Sequence, residues 1–571
     1  MKIINKSFLA LVALGILASC GGSGGSKDAS TASSSYKSSS SSNSSPLNKS
    51  SSSIESLSSI ESSLPTESSS TIKSSSSSRI APQIISLSKD LTTEIVAGQS
   101  IKAQSTCRGC DANATQYEWY VEGETNPLSN SDSLEVDEEY QFKKITLKAT
   151  PYSSNGTVGQ AENIVMVRNK IEKIIPHIGA FSALKTDGSI VSWGDFGDLN
   201  SSIIQTLRDP SEFSRTGVSY AGITKDDSAI AWGDASYGGD ATGKDLTGVK
   251  ELIAGNRAFA ALKIDGSVVT WGNPIDGGDT NGKDLTTVES VVTNGYAFAA
   301  IKANGEVVTW GHDNWGGNSL GKDLTNILSI TGNNYSFAAI KQDGSVVSWG
   351  DSERGGEAPV INSVASIAGT DYGAFAALKQ DGTVVTWGKP ARGGDSSGKD
   401  LTNVVSVVGN DWAFAALKSD SSVVSWGGQV PLSTGDEPLP LQTDGLDLTN
   451  VDKIYSNHVA FAVLKKDGSV VTWGSRYSGG DSSMVDLTNV KIIVNTDYGF
   501  SALKNDGSVV EWGTSRPSSL INIQSIVANN EAYAAIRSDG GAVTWGTIYI
   551  SEEERALLEP KDLIISTSIS P

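Results

Sequence analysis

Three histidines and three cysteines are all that 571 residues supply, and positive charge is short as well, with 44 Lys plus Arg against 64 Asp plus Glu. A net charge of −20 and a pI near 4.7 repel phosphate backbones, so no nucleic acid is expected as a partner. His177, His312 and His458 sit in unrelated contexts, and nothing in their spacing predicts a metal centre. There is no glycine-rich phosphate loop, no HExxH and no Ser-His-Asp elbow, and no cofactor is implied. What the chain does have is 60 glycines and 13 tryptophans, a composition suited to an all-β protein with many tight turns. Its length calls for several domains.

The first twenty residues read as an export signal: Lys2 and Lys6, the short apolar stretch "FLALVALGIL", then "LASC". Leu17-Ala18-Ser19-Cys20 resembles the lipobox of bacterial lipoproteins, in which cleavage before the cysteine is followed by its acylation. The resemblance implies a signal peptide over 1–19, lipidation of Cys20 with palmitate among the acyl groups, and a lipid anchor in the cell envelope. Gly21 after the cysteine fits onward export to the outer membrane, and an ordinary secretory signal is the alternative. Residues 20–78 are nearly a serine polymer, with too little apolar surface to offset the entropy of ordering. As a flexible tether of about 58 residues, this segment spans on the order of 40 Å.

Residues 79–168 change character. "QSIKAQSTC", "TQYEWYVEG", "KKITLKATPY" and "ENIVMVRN" are short, partly alternating runs between polar turns, the pattern of a β-sandwich. Trp119 in "YEWYV" and the later "ITLKATPY" resemble bacterial immunoglobulin-like surface modules. Cys107 and Cys110 form a CxxC. No helix follows a strand here, as a redox motif would prefer, and no further ligands lie nearby for zinc. A disulfide across a small loop is the remaining reading.

From 169 to 550 one sentence is written ten times. A Trp-Gly landmark recurs at Trp193, Trp232, Trp271, Trp310, Trp349, Trp387, Trp426, Trp473, Trp512 and Trp545, mostly 39 residues apart. A period near forty in a strand-rich chain predicts propeller blades or a solenoid. Within Val288–Gly311, "VESVV", "YAFAAIK" and "EVVTW" read as three strands, the last two joined at Asn304-Gly305. Asp-Gly fills that position in most copies and predicts a type I′ hairpin; Asp226-Asp227 and Asp420-Ser421 depart from it and predict a different or looser turn. The second and third strands lack polar alternation, so both faces should be buried between stacked blades. The repeated tryptophans, with Phe259, Phe298, Phe337, Phe375, Phe414 and Phe461, are expected in the interblade core.

The repeat resembles that of the regulator of chromosome condensation family, and its length is nearer to the secreted propeller-type β-lactamase inhibitor protein. The resemblance implies an all-β propeller of about 39-residue blades with three to four strands each. Ten units suit one enlarged ring better than seven blades with three left over. "SEEERALLE" from Ser551 predicts a short helix, and "KDLIISTSIS" from Lys561 echoes a blade's first strand, so 551–571 is expected either to seal the ring or to cap an edge.

Two variable features stand out against this frame. The slot two residues before the strand's phenylalanine holds Tyr296, Tyr335, Trp412 and Tyr498, with Tyr372 displaced by one. In the β-lactamase inhibitor, aromatic residues around one face carry partner contacts, and this slot looks equivalent; packing against adjacent loops is the alternative. The second feature is the tip before a Gly-Gly pair, which includes Tyr237, Trp315 and Tyr477. Asp240, Asp279, Asp395 and Asp481 follow Gly-Gly, either as turn caps or as calcium ligands. A constant frame with changing tips is what a recognition surface requires. The expectation is therefore a monomeric surface lipoprotein whose propeller rim binds an extracellular protein or polysaccharide without catalysis. The alternative is a propeller-based polysaccharide lyase or hydrolase, which a carboxylate cluster at one end of the channel would support.

Overall fold

A computed structural model of the chain describes residues 81–566, apart from 90–94, 112–113, 141, 196–205, 208–213, 429–442, 514–519 and 549. The signal segment, Cys20 and the tether lie outside the described residues. Among those described, no helix is long and apolar enough to cross a membrane.

Each repeat folds as one three-stranded antiparallel sheet of consecutive strands. In blade 4 these are Val288–Thr293, Ala297–Lys302 and Val307–Gly311. "AFAAIK" carries no polar side chain before its lysine, and Ala297 through Ala300 are fully buried between neighbouring sheets. Alanines on both faces let the sheets approach, and the remaining gap is filled by paired rings. Phe298 stands opposite Trp310 in the register, and the two rings stack at 5.3 Å. The same stacked or tilted pair recurs in the other blades, with tyrosine replacing phenylalanine at Tyr220 and Tyr533.

The hairpin turns differ from the type I′ expectation. In blade 4 the Lys302 amide donates to the Glu306 carbonyl and the Gly305 amide to the Lys302 carbonyl, both at 2.8 Å. Gly305 alone has a positive φ, of 79°, so this is a three-residue loop ending in a left-handed residue. The departures at Asp227 and Ser421 are not looser: they take φ of 61° and 65° and keep the same bonding, each amide donating at 2.9 Å to the carbonyl three residues back. The fold imposes the left-handed conformation there on residues that carry a Cβ.

First strands of successive blades lie side by side around an axis, and the ring closes on itself. Blade 10 (Ile523–Ala528, Ala532–Arg537, Ala542–Gly546) packs on blade 1 (Ile171–His177, Ala180–Lys185, Ile190–Gly194). Ala532, Ala534 and Ile536 share a buried cluster with Phe181, Ala183 and Trp193. Asn529 Nδ2 donates to the Ala180 carbonyl at 3.1 Å, and the Gly179 amide donates to Asn530 Oδ1 at 2.8 Å. The ten repeats form one ten-bladed propeller.

Before it stands a two-sheet sandwich. One sheet holds Gln83–Lys89, Ser100–Arg108 and Ser133–Glu135; the other holds Gln116–Val121, Ile145–Thr150, Glu162–Asn169 and, from the far end of the chain, Lys561–Ser566. Trp119 is fully buried between them with Ile101, Leu147 and Met166, and its indole N–H donates to the Ser131 carbonyl at 3.0 Å. Cys107 and Cys110 lie at disulfide distance, with Cα atoms 5.8 Å apart. The tail does not seal the propeller: it pairs antiparallel with Glu162–Asn169, placing Leu563 opposite Val167. Its edge-capping role falls to the sandwich because blade 10 already has its three strands. A capped helix, Glu552–Leu557, precedes the tail, and Lys185 Nζ donates to the Leu557 carbonyl.

Candidate functional site

The propeller face at which first strands turn into second strands also receives the tip that follows each third strand. Two devices hold that face in place. The first is Gly-Gly. Gly277 takes a φ of 106°, and a Cβ there would meet the Phe298 ring of the next blade at 2.5 Å. Its carbonyl accepts the Trp310 indole N–H at 3.1 Å. Gly238 with Trp271, Gly316 with Trp349, Gly355 with Trp387, Gly393 with Trp426 and Gly479 with Trp512 repeat the bond. One pair of glycines thus turns the tip, lies flat on the next blade's ring and satisfies the next blade's buried indole.

The second device is a buried asparagine, or in some blades a threonine, that opens the turn. Asn333 Oδ1 accepts from the Tyr335 and Ser336 amides at 2.9 and 2.8 Å, while its Nδ2 donates to the Arg354 carbonyl at 3.0 Å. Asn294 holds the Trp315 carbonyl and Asn457 the Ser478 carbonyl in the same way. Thr216 and Thr370 do so by hydroxyl for Tyr237 and Arg392. Sequence reading passed over these asparagines, although their recurrence at a fixed offset before the aromatic slot was the available signal.

Held in this way, slots and tips interlock. Tyr296 packs on the edge of Trp315 at 4.5 Å, and Trp315 meets Tyr335 at 5.8 Å. The Arg354 guanidinium lies over Tyr335 at 4.5 Å. Arg392 lies over Tyr372 at 5.8 Å and over Trp412 at 3.2 Å. Arg257, in the slot of blade 3, covers Tyr237 at 5.1 Å. Tyr335 and Arg257 sit between their own blade's tip and the preceding one, and the other slots each meet one tip, forming a belt of rings and guanidinium groups over blades 2 to 7. Tyr237, Tyr296, Trp315, Tyr335, Tyr372 and Trp412 are half-buried in it. Packing and partial exposure coexist at these positions, so the alternative of loop packing describes their contacts. Tyr498 and Tyr477, by contrast, are 63% and 66% exposed.

Inside the belt the turns are joined blade to blade by backbone bonds: the Asn334 amide to the Asp371 carbonyl and the Asp411 amide to the His458 carbonyl, both at 3.2 Å, and the Asp497 amide to the Asn530 carbonyl at 2.9 Å. This inner ring brings together charges from four blades. His458 Nδ1 lies 2.8 Å from Asp411 Oδ2, and its Nε2 lies 3.1 Å from Asp497 Oδ1. Burial alone would lower the His458 pKa, but the two carboxylates outweigh it and raise it to about 10. Burial, and then the Asp411 charge, push the Asp371 carboxyl well above the ordinary range. The other histidines stand apart: His177 faces Ser182 and His312 stacks on Trp315 at 3.9 Å. Sequence reading did not bring Asp371, Asp411 and Asp497 together.

The acidic residues after Gly-Gly act as turn caps. Asp240 Oδ1 accepts from the Thr242 amide at 2.8 Å, Asp279 from Asn281 at 2.8 Å, Asp395 from Ser397 at 2.9 Å and Asp481 from Ser483 at 3.0 Å. Among the described residues no group of three His, Cys, Asp or Glu is placed to hold a metal ion.

No protein-family model and no curated protein matches the chain. Among solved structures it is similar to Prp20p from Saccharomyces cerevisiae, with a TM-score of 0.30 and 15% identity over 63% of this chain and 97% of that one. It is also similar to the CRINKLY WD40 ectodomain of the Arabidopsis thaliana receptor kinase ACR4, with a TM-score of 0.26 and 18% identity over 45% and 92%. BamB from Moraxella catarrhalis follows, at a TM-score of 0.24 and 12% identity over 55% and 100%.

Proposed function

We propose that the chain is a cell-surface lipoprotein anchored through Cys20, and that its propeller recognises an extracellular protein or polysaccharide without catalysis. The observation that carries this reading is the interlocked belt. Its backbone is fixed by buried asparagines and glycines, while the side chains it presents differ from blade to blade. Rings and guanidinium groups held rigidly at a half-exposed surface lose little entropy on contact, which is what favours them at binding surfaces. The test is a glycan array together with capture of extracellular proteins, using the whole chain because its tail strand belongs to the sandwich. Tyr335→Ala and Trp412→Ala should weaken whatever is bound while the stacked rings between the blades stay intact. If both variants bind as the parent does, the belt is not the site.

A second reading has its own support. The Asp371, Asp411, His458 and Asp497 cluster at the inner ring supports a polysaccharide lyase or hydrolase, with Asp371, its carboxyl raised by burial and then by the Asp411 charge, as the candidate general acid. Release of new chain ends from a polysaccharide, abolished by Asp371→Asn with binding retained, would establish it.

A further inference from the structure

Outside the belt, an open groove of about 600 Å³ separates the tips of blades 4 and 5, within the range of small-ligand clefts, about 300–1,000 Å³. Trp315, Trp349 and Gly350 are among the residues that line it. Asp313 and Asn314 border the groove as exposed side chains, and Leu320 stands at its outer lip, 91% exposed.

Charge decides what such a groove accepts. Its one lining cation is already matched, Lys322 Nζ lying 3.1 Å from Glu357 Oε1, and the lining Asp351 is paired with Arg354 behind it. Asp313 is left as negative charge, on a chain whose net charge is −20. A polyanion is repelled both locally and at range. A large apolar peptide side chain finds polar walls. A neutral hexose unit offers what the lining can use: hydroxyl donors for Asp313 and the Asn314 amide oxygen, and C–H faces for the indole edge and Leu320.

We propose that the groove between blades 4 and 5 is a subsite for hexose residues of a neutral polysaccharide. This rests on the recognition reading above and narrows its ligand class. Asp313 and Asn314 orient the sugar by its hydroxyls, Trp315 supplies apolar contact, and the belt beyond Trp315 continues the surface toward the next blades.

The test measures binding of the whole chain to soluble neutral probes (a β-glucan, an α-glucan and a galactomannan) and to polygalacturonate, at about 0.15 M salt. The expected result is binding of at least one neutral polymer and none of polygalacturonate. The double variant Asp313→Ala, Asn314→Ala changes exposed side chains only, and should weaken binding about tenfold or more. Trp315→Ala should abolish it. Neutral-polymer binding that the double variant leaves intact overturns the subsite while the recognition reading stands. So does binding confined to polygalacturonate or to a protein and lost in Trp412→Ala. If no polymer and no extracellular protein binds, both fall together.

Discussion

Two stretches of the same ring are built from the same strands but joined differently. Blades 2 to 6, and again blade 8, end in Gly-Gly tips, and each hands the next blade a carbonyl for its buried indole N–H. Blades 1, 7, 9 and 10 have no such tip, and the last three precede Trp473, Trp545 and Trp193. After those three the bond changes or is missing: Trp473 Nε1 reaches Ser425 Oγ at 3.3 Å, and the Trp193 and Trp545 indole nitrogens have no partner among the described residues. The sheets themselves are unaffected, since Trp193 still stacks on Phe181 at 5.5 Å. Ring stacking and close sheet contact thus carry the interblade joint, and the tip bond adds specificity to it.

Several substitutions and one titration break or sharpen that contrast. Trp310→Ala removes a filled interblade layer and should cost about 3–5 kcal/mol in urea unfolding. Gly316→Ala must place a Cβ 2.6 Å from the Phe337 ring at a φ of 107°; strain and overpacking together predict a loss of roughly 2–4 kcal/mol. The same change at Gly321, where nothing lies within 4 Å, should cost only the strain, about 1–2 kcal/mol. Trp310→Phe should be costlier than Trp193→Phe by about 1 kcal/mol, because only the first strands a buried carbonyl. Equal losses at the two sites would show that the tip bond contributes nothing.

The smallest effect concerns acid. Lys263, Lys302, Lys341, Lys418, Lys465 and Lys504, at the ends of second strands, pair with Asp245, Asp284, Asp323, Asp400, Asp447 and Asp486 at 2.6–2.8 Å. The lysine bond, followed by bonds from a threonine two residues on, lowers each of these aspartates to about 2. Folded values below the unfolded one, about 3.9, stabilise the fold above that pH, and the contribution disappears as pH falls toward 2. The urea midpoint should drop between pH 4 and 2, and less steeply in high salt because these pairs are exposed. Blade 6 lacks the pairing aspartate, and Lys379 turns to Asp381 in its own hairpin. Lys302→Met should therefore flatten the acid limb more than Lys379→Met.

Legibility in the sequence followed the range of the interactions. The repeat period, the three strands, the hairpin positions and the core tryptophans could be read because each is set within about forty residues by apolar pattern and glycine placement. The turn type was misread because Asx-Gly serves both two- and three-residue loops, and the bonds to the flanking lysine decide between them. The Asp371, Asp411, His458 and Asp497 cluster was invisible because each member is an ordinary turn residue in its own blade. They meet only where separate turns converge on an axis. The tail strand was placed at the ring's edge because its resemblance to a blade's first strand is local, whereas its partner, Glu162–Asn169, lies some 400 residues earlier.

The sequence by itself determined the blade: a hairpin with a third strand, apolar on both faces, with small residues where sheets must touch. Only the tertiary structure decided that ten blades close into a ring, that slots and tips interlock on one face, and that the sandwich takes the chain's last strand. Periodicity is a property of neighbouring residues, whereas closure depends on the small rotation between sheets. That rotation is set by how whole layers of side chains pack, and no short stretch of sequence records it.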